Sequence, residues 1–287
     1  MSDTNNTPVT LYSAEISRAN PSCFLFVVDQ SGSMLDALPN QGKNKAQGVA
    51  DAINRLLQNL VIKCARSEGM RDYYHIGVLG YGAEIGPSFG GPLAGRDLVP
   101  ISEIANNPAR VEERTKKVDD GAGGLLDQKV KFAVWFDAKG NGGTPMCAAL
   151  QRAHTILTGF LSQHPNCFPP VVIHITDGES GDGNPTDIMN KLKSLASTDG
   201  NILLYNLHLS SNPNAIPVTF PDSPAQLPDE YSRTLFAGAS VLTPFMQGVA
   251  REQGLGVTAN SRSFVLNADL ALIIQALEIG TRPSNLR

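Results

Sequence analysis

The chain has 287 residues, enough for one large α/β domain or two small ones. An apolar content of 41% with 17% charged residues excludes wholesale disorder. A net charge of −4 without a dense Lys/Arg run gives no nucleic-acid surface. The opening MSDTNNTPVT lacks the basic and apolar segments of a secretory signal, and no apolar run approaches a membrane span. Four cysteines (Cys23, Cys64, Cys147, Cys167) show no Cys-x-x-Cys spacing, so reduced core or semi-buried thiols in a soluble cytoplasmic protein are expected.

Residues 1–21 read as a polar tail with an edge strand near Val9 to Tyr12, and 22–287 as one domain. CFLFVV (Cys23 to Val28) has the continuous apolar character of a strand buried on both faces. After a Pro39 to Gly42 loop, apolar spacing from Ala46 to Cys64 predicts an amphipathic helix, and YYHIGVLGY (Tyr73 to Tyr81) a strand. Poor periodicity marks 82–128 as an irregular insertion with one short charged helix at Ala109 to Lys117. KVKFAVWF (Lys129 to Phe136) is a strand, and a glycine-rich loop then opens a helix from Met146 to Leu161. PPVVIHITDG supplies the next buried strand, followed by a helix over Thr186 to Ala196 and the strand NILLYNLHLS. A second irregular insertion spans 211–244, with a proline-rich excursion at Ser211 to Pro228. A helix near Pro244 to Glu252, a strand RSFVL and a helix Ala268 to Ile279 stopped by Gly280 end the chain. Alternating strands and helices predict a Rossmann-like, doubly wound, mostly parallel sheet covered on both faces.

In such sheets ligands meet the carboxyl ends of strands at a topological switch point. Asp29, Ser31 and Ser33 follow the first strand, Thr144 opens a helix, and Asp177 follows VVIHIT. Two carboxylates and three hydroxyls are hard oxygen donors, suited to Mg²⁺, with Mn²⁺ or Ca²⁺ as substitutes, and unsuited to zinc. In an extended chain, positions 29, 31 and 33 point the same way. Each residue also has a structural explanation: an Asx-turn at Asp29, caps at Ser31 or Ser33, and an N-cap/N1 pair at Thr144-Pro145. Removing one of two carboxylates that share a crevice also relieves repulsion, so it could stabilise the metal-free protein.

DQSGSM, NGGTPM and ITDGES, in this order, resemble the metal-ion-dependent adhesion site of von Willebrand factor A domains, over about Ser22 to Ile279. The resemblance implies that Ser31, Ser33 and Thr144 touch a Mg²⁺ ion and that Asp29 and Asp177 hold it directly or through water. A Glu or Asp of a partner protein would complete the coordination, with no catalysis. Glu179 and Asp182 stand beside these residues as candidate outer ligands, although a solvated acidic loop is the more ordinary explanation. Without a visible signal peptide, the chain looks similar to stand-alone bacterial members associated with AAA+ ATPases, kinase–phosphatase pairs or stress and defence clusters.

Two alternatives stay open. A Mg²⁺-dependent phosphohydrolase of the haloacid-dehalogenase kind needs a second Asp two residues after the first, where Ser31 stands. A scaffold would use the two insertions and carry a vestigial metal site. A Ser/His/Asp hydrolase lacks a Gly-x-Ser-x-Gly elbow, and His174 and His208 fall inside buried strands as structural residues. No Walker or dinucleotide-binding glycine loop is present.

Overall fold

Continuous apolar runs make strands that need cover on both faces. The computed structural model, which describes residues 11–38, 42–119, 125–209 and 216–281, builds its central sheet from those runs. The first half of the chain forms β1 (Ser22–Asp29), α1 (Lys45–Cys64), β2 (Tyr74–Tyr81), β3 (Ile85–Pro87), β4 (Val99–Pro100), α2 (Ile101–Asn106), β5 (Arg110–Asp119) and β6 (Leu125–Val134). The second half forms α3 (Met146–Gln163), β7 (Val171–Thr176), α4 (Thr186–Ser194), β8 (Leu203–Leu209), β9 (Val218–Thr219), α5 (Glu230–Gly238), α6 (Pro244–Glu252), β10 (Phe264–Ala268) and α7 (Leu270–Thr281).

Among the described residues the sheet order is β9-β10-β8-β7-β1-β2-β3, with β4 also on β2. From β2 across to β10 the neighbours are parallel, and β9, β3 and β4 join antiparallel at the edges. The expected doubly wound α/β fold is borne out. Side chains of β1 alternate between two cores, as the period of a strand requires. Phe24, Phe26 and Val28 pack with α1, α6 and α7, whereas Cys23, Leu25 and Val27 pack with α3, α4 and α5. The crossover after β1 therefore lies on one face and that after β7 on the other. Because the two crossovers part in opposite directions, a crevice forms at the carboxyl ends of β1 and β7.

Four details depart from the sequence reading. Residues 110–119 form a strand, not the expected charged helix. Arg110, Glu112 and Arg114 lie on one strand face, where Glu112 pairs with both arginines. The Arg114 guanidinium also stacks 3.7 Å from the centroid of Phe132 on β6. That period-two alternation, together with pairing to β6, outweighs the local helix propensity. Arg114 and Asp51 join the hairpin to α1 at 2.8 Å. Asn54 fixes the hairpin base, accepting the N–H groups of Trp135 and Phe136 and donating to the Phe136 carbonyl.

The second detail is α5, a helix within the stretch expected to be irregular, started by an Asp229–Ser232 capping box. Third, α7 runs through Gly280 to Thr281. Gly280 lies where a Cβ would come 3.2 Å from the Tyr205 ring, so the glycine serves close packing and not termination. Fourth, α2 is a short helix in the first insertion. The edge strand expected near Val9 falls partly outside the described residues. Its described end, Leu11 and Tyr12, is not strand, although Tyr12 donates its N–H to the Asp199 carbonyl at 2.8 Å. Residues 39–41, 120–124 and 211–215, within the expected loop and insertions, also lie outside the described residues. Among the described residues no helix is long and apolar enough to cross a membrane.

Candidate metal centre

Asp29 ends β1 inside the crevice and is 1% exposed. One carboxylate oxygen accepts the Ser31 N–H at 2.8 Å, which is the Asx-turn open to such a residue, and the other accepts the Thr176 hydroxyl at 2.8 Å. Burial pushes the Asp29 carboxyl above its ordinary range against these hydrogen bonds, and the charge of Asp177 pushes the same way. Ser31 starts a short 3-10 turn without capping it through its side chain. Its Oγ lies 3.1 Å from that of Ser33, and the Ser33 hydroxyl donates to Asp177 Oδ1 at 2.8 Å. Asp29, Ser31, Ser33 and Asp177 thus meet in one crevice, joined through hydrogen bonds.

Thr144 reaches the same place by backbone contacts. The Gly32 N–H donates to the Gly142 carbonyl at 3.0 Å, Asn141 to Gln30 at 2.7 Å, and Gly181 to Thr144 at 2.8 Å. Residues 141–144 are therefore clamped between the loops that follow β1 and β7. Gly142 permits the clamp. Its φ is +82°, and a Cβ there would stand 2.4 Å from the Ala83 nitrogen. The Thr144 hydroxyl has no hydrogen-bond partner among the described residues and does not cap α3.

The capping task falls to Asp182. Its two oxygens accept the N–H groups of Cys147 and Ala148 at 2.9 Å each, and the Ser180 hydroxyl adds a third bond at 2.9 Å. Although burial acts the other way, these donors hold the Asp182 carboxyl below its usual range. Asp182, a candidate outer ligand by sequence, thus has both of its oxygens engaged at the start of α3. Glu179 is exposed on the same loop.

Sequence reasoning missed Lys45. Its ammonium is 2.6 Å from Asp177 Oδ2, and the lysine and aspartate side chains are 3% and 0% exposed. A cation in the first turn of a helix opposes the helix dipole, and that conflict was the available signal. Also missed was Tyr231, which α5 brings over to donate to the Gly178 carbonyl. The structural role expected for His174 is realised. Nδ1 faces the Asn206 amide oxygen at 2.9 Å, while that amide nitrogen donates to the Leu235 carbonyl. Nδ1 therefore carries the proton, and Nε2 accepts the Tyr81 hydroxyl at 2.7 Å. Burial lowers the His174 pKa to about 4, so the ring is neutral.

At the level of sequence, neither a family model nor a curated protein matches the chain. Among solved structures, it is similar to the manganese-loaded TRAP protein of Plasmodium vivax, with 17% identity and a TM-score of 0.36 over 70% of this chain and 61% of that one. The vWF domain of the type V pili tip protein of Porphyromonas gingivalis gives 15% and 0.32 over 56% of this chain and 39% of that one. The ArnB paralog VWA2 of Sulfolobus acidocaldarius gives 14% and 0.32 over 68% and 36%. In each case this chain spans less than two thirds of the other's length. Likenesses of this size leave the reading of the site to its own geometry.

That geometry has a definite chemistry. Among the described residues no group of three or more His, Cys, Asp or Glu gathers as a metal site. The oxygen donors that do gather are two carboxylates with serine hydroxyls between them, and Thr144 stands on the adjoining loop. Hard, mixed oxygen donors of this kind fit Mg²⁺ or Mn²⁺. Beside them opens a cleft of about 600 Å³ lined by residues 82–85, 143–145 and 181–182.

Proposed function

We propose that this chain is a von Willebrand factor A-type, metal-dependent protein-binding module without catalytic activity. In this reading Ser31, Ser33 and Thr144 bind Mg²⁺, while Asp29 and Asp177 hold it directly or through water. The observation that carries the reading is the hydrogen-bonded chain Ser31–Ser33–Asp177 beside a Thr144 hydroxyl released from capping by Asp182. Of the local tasks open to these side chains, Asp29 takes the Asx-turn, whereas neither the Ser31 nor the Thr144 hydroxyl makes a cap hydrogen bond. When bound, the ion supplies a positive centre that a partner's Asp or Glu can reach by a charge-assisted contact. The chain's own part is to place the hydroxyls and to leave the neighbouring cleft open for the partner. The same reading places the chain in a bacterial cytoplasmic multi-protein system, as a partner of an AAA+ ATPase, a kinase–phosphatase pair or a stress or defence cluster.

Selection from a displayed peptide library in Mg²⁺ and in EDTA tests this. Binders found only in Mg²⁺, each dependent on an Asp or Glu, are expected. Peptides that bind equally in EDTA, or that keep binding after Asp→Asn or Glu→Gln, would contradict it.

A further inference from the structure

Lys45 is placed against the ordinary preferences of its position. It is the first residue of α1, where the helix dipole disfavours a cation, and Asn44 already caps the helix by accepting the Gln47 N–H at 2.8 Å. Its side chain is 3% exposed, and an ammonium withdrawn from water is costly unless a counter-charge compensates it. The compensation comes from Asp177 Oδ2 at 2.6 Å, with the Ser33 carbonyl at 3.5 Å and Asp36 at 3.8 Å. The Lys45 N–H also donates to the Asp36 carbonyl at 3.0 Å, so its backbone is pinned to the turn that carries Ser33. A lysine that helix physics opposes is thus built into the floor of the crevice, on the carboxylate assigned to the ion.

We propose that Lys45 is a tethered counter-ion whose fixed charge competes with the divalent ion for Asp177 and sets how tightly that ion is held. The inference rests on the metal-binding reading above. In the absence of an ion, the ammonium balances Asp177, while Asp177 in turn holds the Ser33 hydroxyl. Once an ion enters, two positive centres share one carboxylate whose side chain is buried, so their repulsion is less screened than at an exposed surface. The charge count has a second consequence. Asp29 and Asp177 alone would neutralise a divalent ion, but with Lys45 one positive charge is left over. A single carboxylate from a partner cancels it, which couples metal retention to partner binding in both directions.

Calorimetric titration of Mn²⁺ into the full chain as wild type, K45Q and K45R tests the proposal, with melting curves in EDTA and in Mn²⁺ alongside. K45Q is expected to bind Mn²⁺ at least about tenfold more tightly than wild type, and K45R to stay near wild type because the charge remains. K45Q should also melt below wild type in EDTA and gain more from Mn²⁺. Equal or weaker Mn²⁺ binding by a folded K45Q overturns the proposal and leaves the metal reading standing. Absence of binding by both proteins overturns the two together. Folding of K45Q in Mn²⁺ but not in EDTA supports the proposal, whereas K45Q and K45M unfolded in both conditions overturn it.

Discussion

The Ser33 hydroxyl donates to the Asp177 carboxylate at 2.8 Å across 144 positions of sequence, and the other Asp177 oxygen holds the Lys45 ammonium at 2.6 Å. Asp177 is therefore the counter-charge of a buried lysine, which reverses the sign expected from like-charge repulsion alone. Asp177→Asn should destabilise the metal-free protein by about 3 kcal/mol, as for a buried pair that loses one partner. Urea denaturation in EDTA measures this, and an unchanged or raised midpoint would contradict it.

Asp29 behaves differently. Burial pushes its carboxyl upward, so ionising it costs more in the folded protein than in the unfolded chain. Asp29→Asn keeps an acceptor for the Ser31 N–H and removes that charge. Its melting temperature in EDTA is expected to equal or exceed that of wild type near neutral pH. The rise on adding Mn²⁺, about 2.7 kcal/mol of stabilisation at a hundred times the dissociation constant, should disappear.

His174 makes stability depend on acid. Its folded pKa of about 4 lies below the ordinary value of 6.5, so between these limits the unfolded chain takes up a proton that the folded chain does not. The stabilisation is complete above 6.5 and falls as pH drops toward 4, by up to about 3 kcal/mol. Denaturation curves across that interval should show this slope. His174→Gln, less stable at pH 7 through loss of the Tyr81 and Asn206 contacts, should show less of it.

Asp182 separates helix capping from metal binding. Asp182→Ala leaves the N–H groups of Cys147 and Ala148 without their acceptor, and a loss of about 1–2 kcal/mol is expected. Its Mn²⁺ affinity by calorimetry should stay within about twofold of wild type, whereas an outer ligand would lose about tenfold or more.

Residues whose roles follow from local pattern were legible in the sequence. The buried run at 23–28, the helical spacing at 46–64 and the Asp-Ser-Ser, Thr and Asp segments at strand ends all come together as expected. Other features depend on distant partners. The strand at 110–119 is decided by Phe132 and the rest of β6. The capping role of Asp182 is invisible until the loop after β7 is seen folded over the start of α3. Lys45 offered a local clue, a cation at a helix start, but its partner lies 132 residues away. The start of α5 was readable from Asp229 and Ser232, although the prolines before it hide the pattern.

The most direct test of the metal centre is calorimetric titration of Mn²⁺ into the wild-type chain and Ser33→Ala. This substitution removes one hydroxyl, with its hydrogen bonds to Ser31 and Asp177, while leaving the Lys45–Asp177 pair in place. Saturable one-site binding by the wild type, lost or weakened at least about tenfold in Ser33→Ala with its fold retained, is the expected result. Absence of Mn²⁺ binding by the wild type, or equal binding by both proteins, would contradict a metal centre built on these residues.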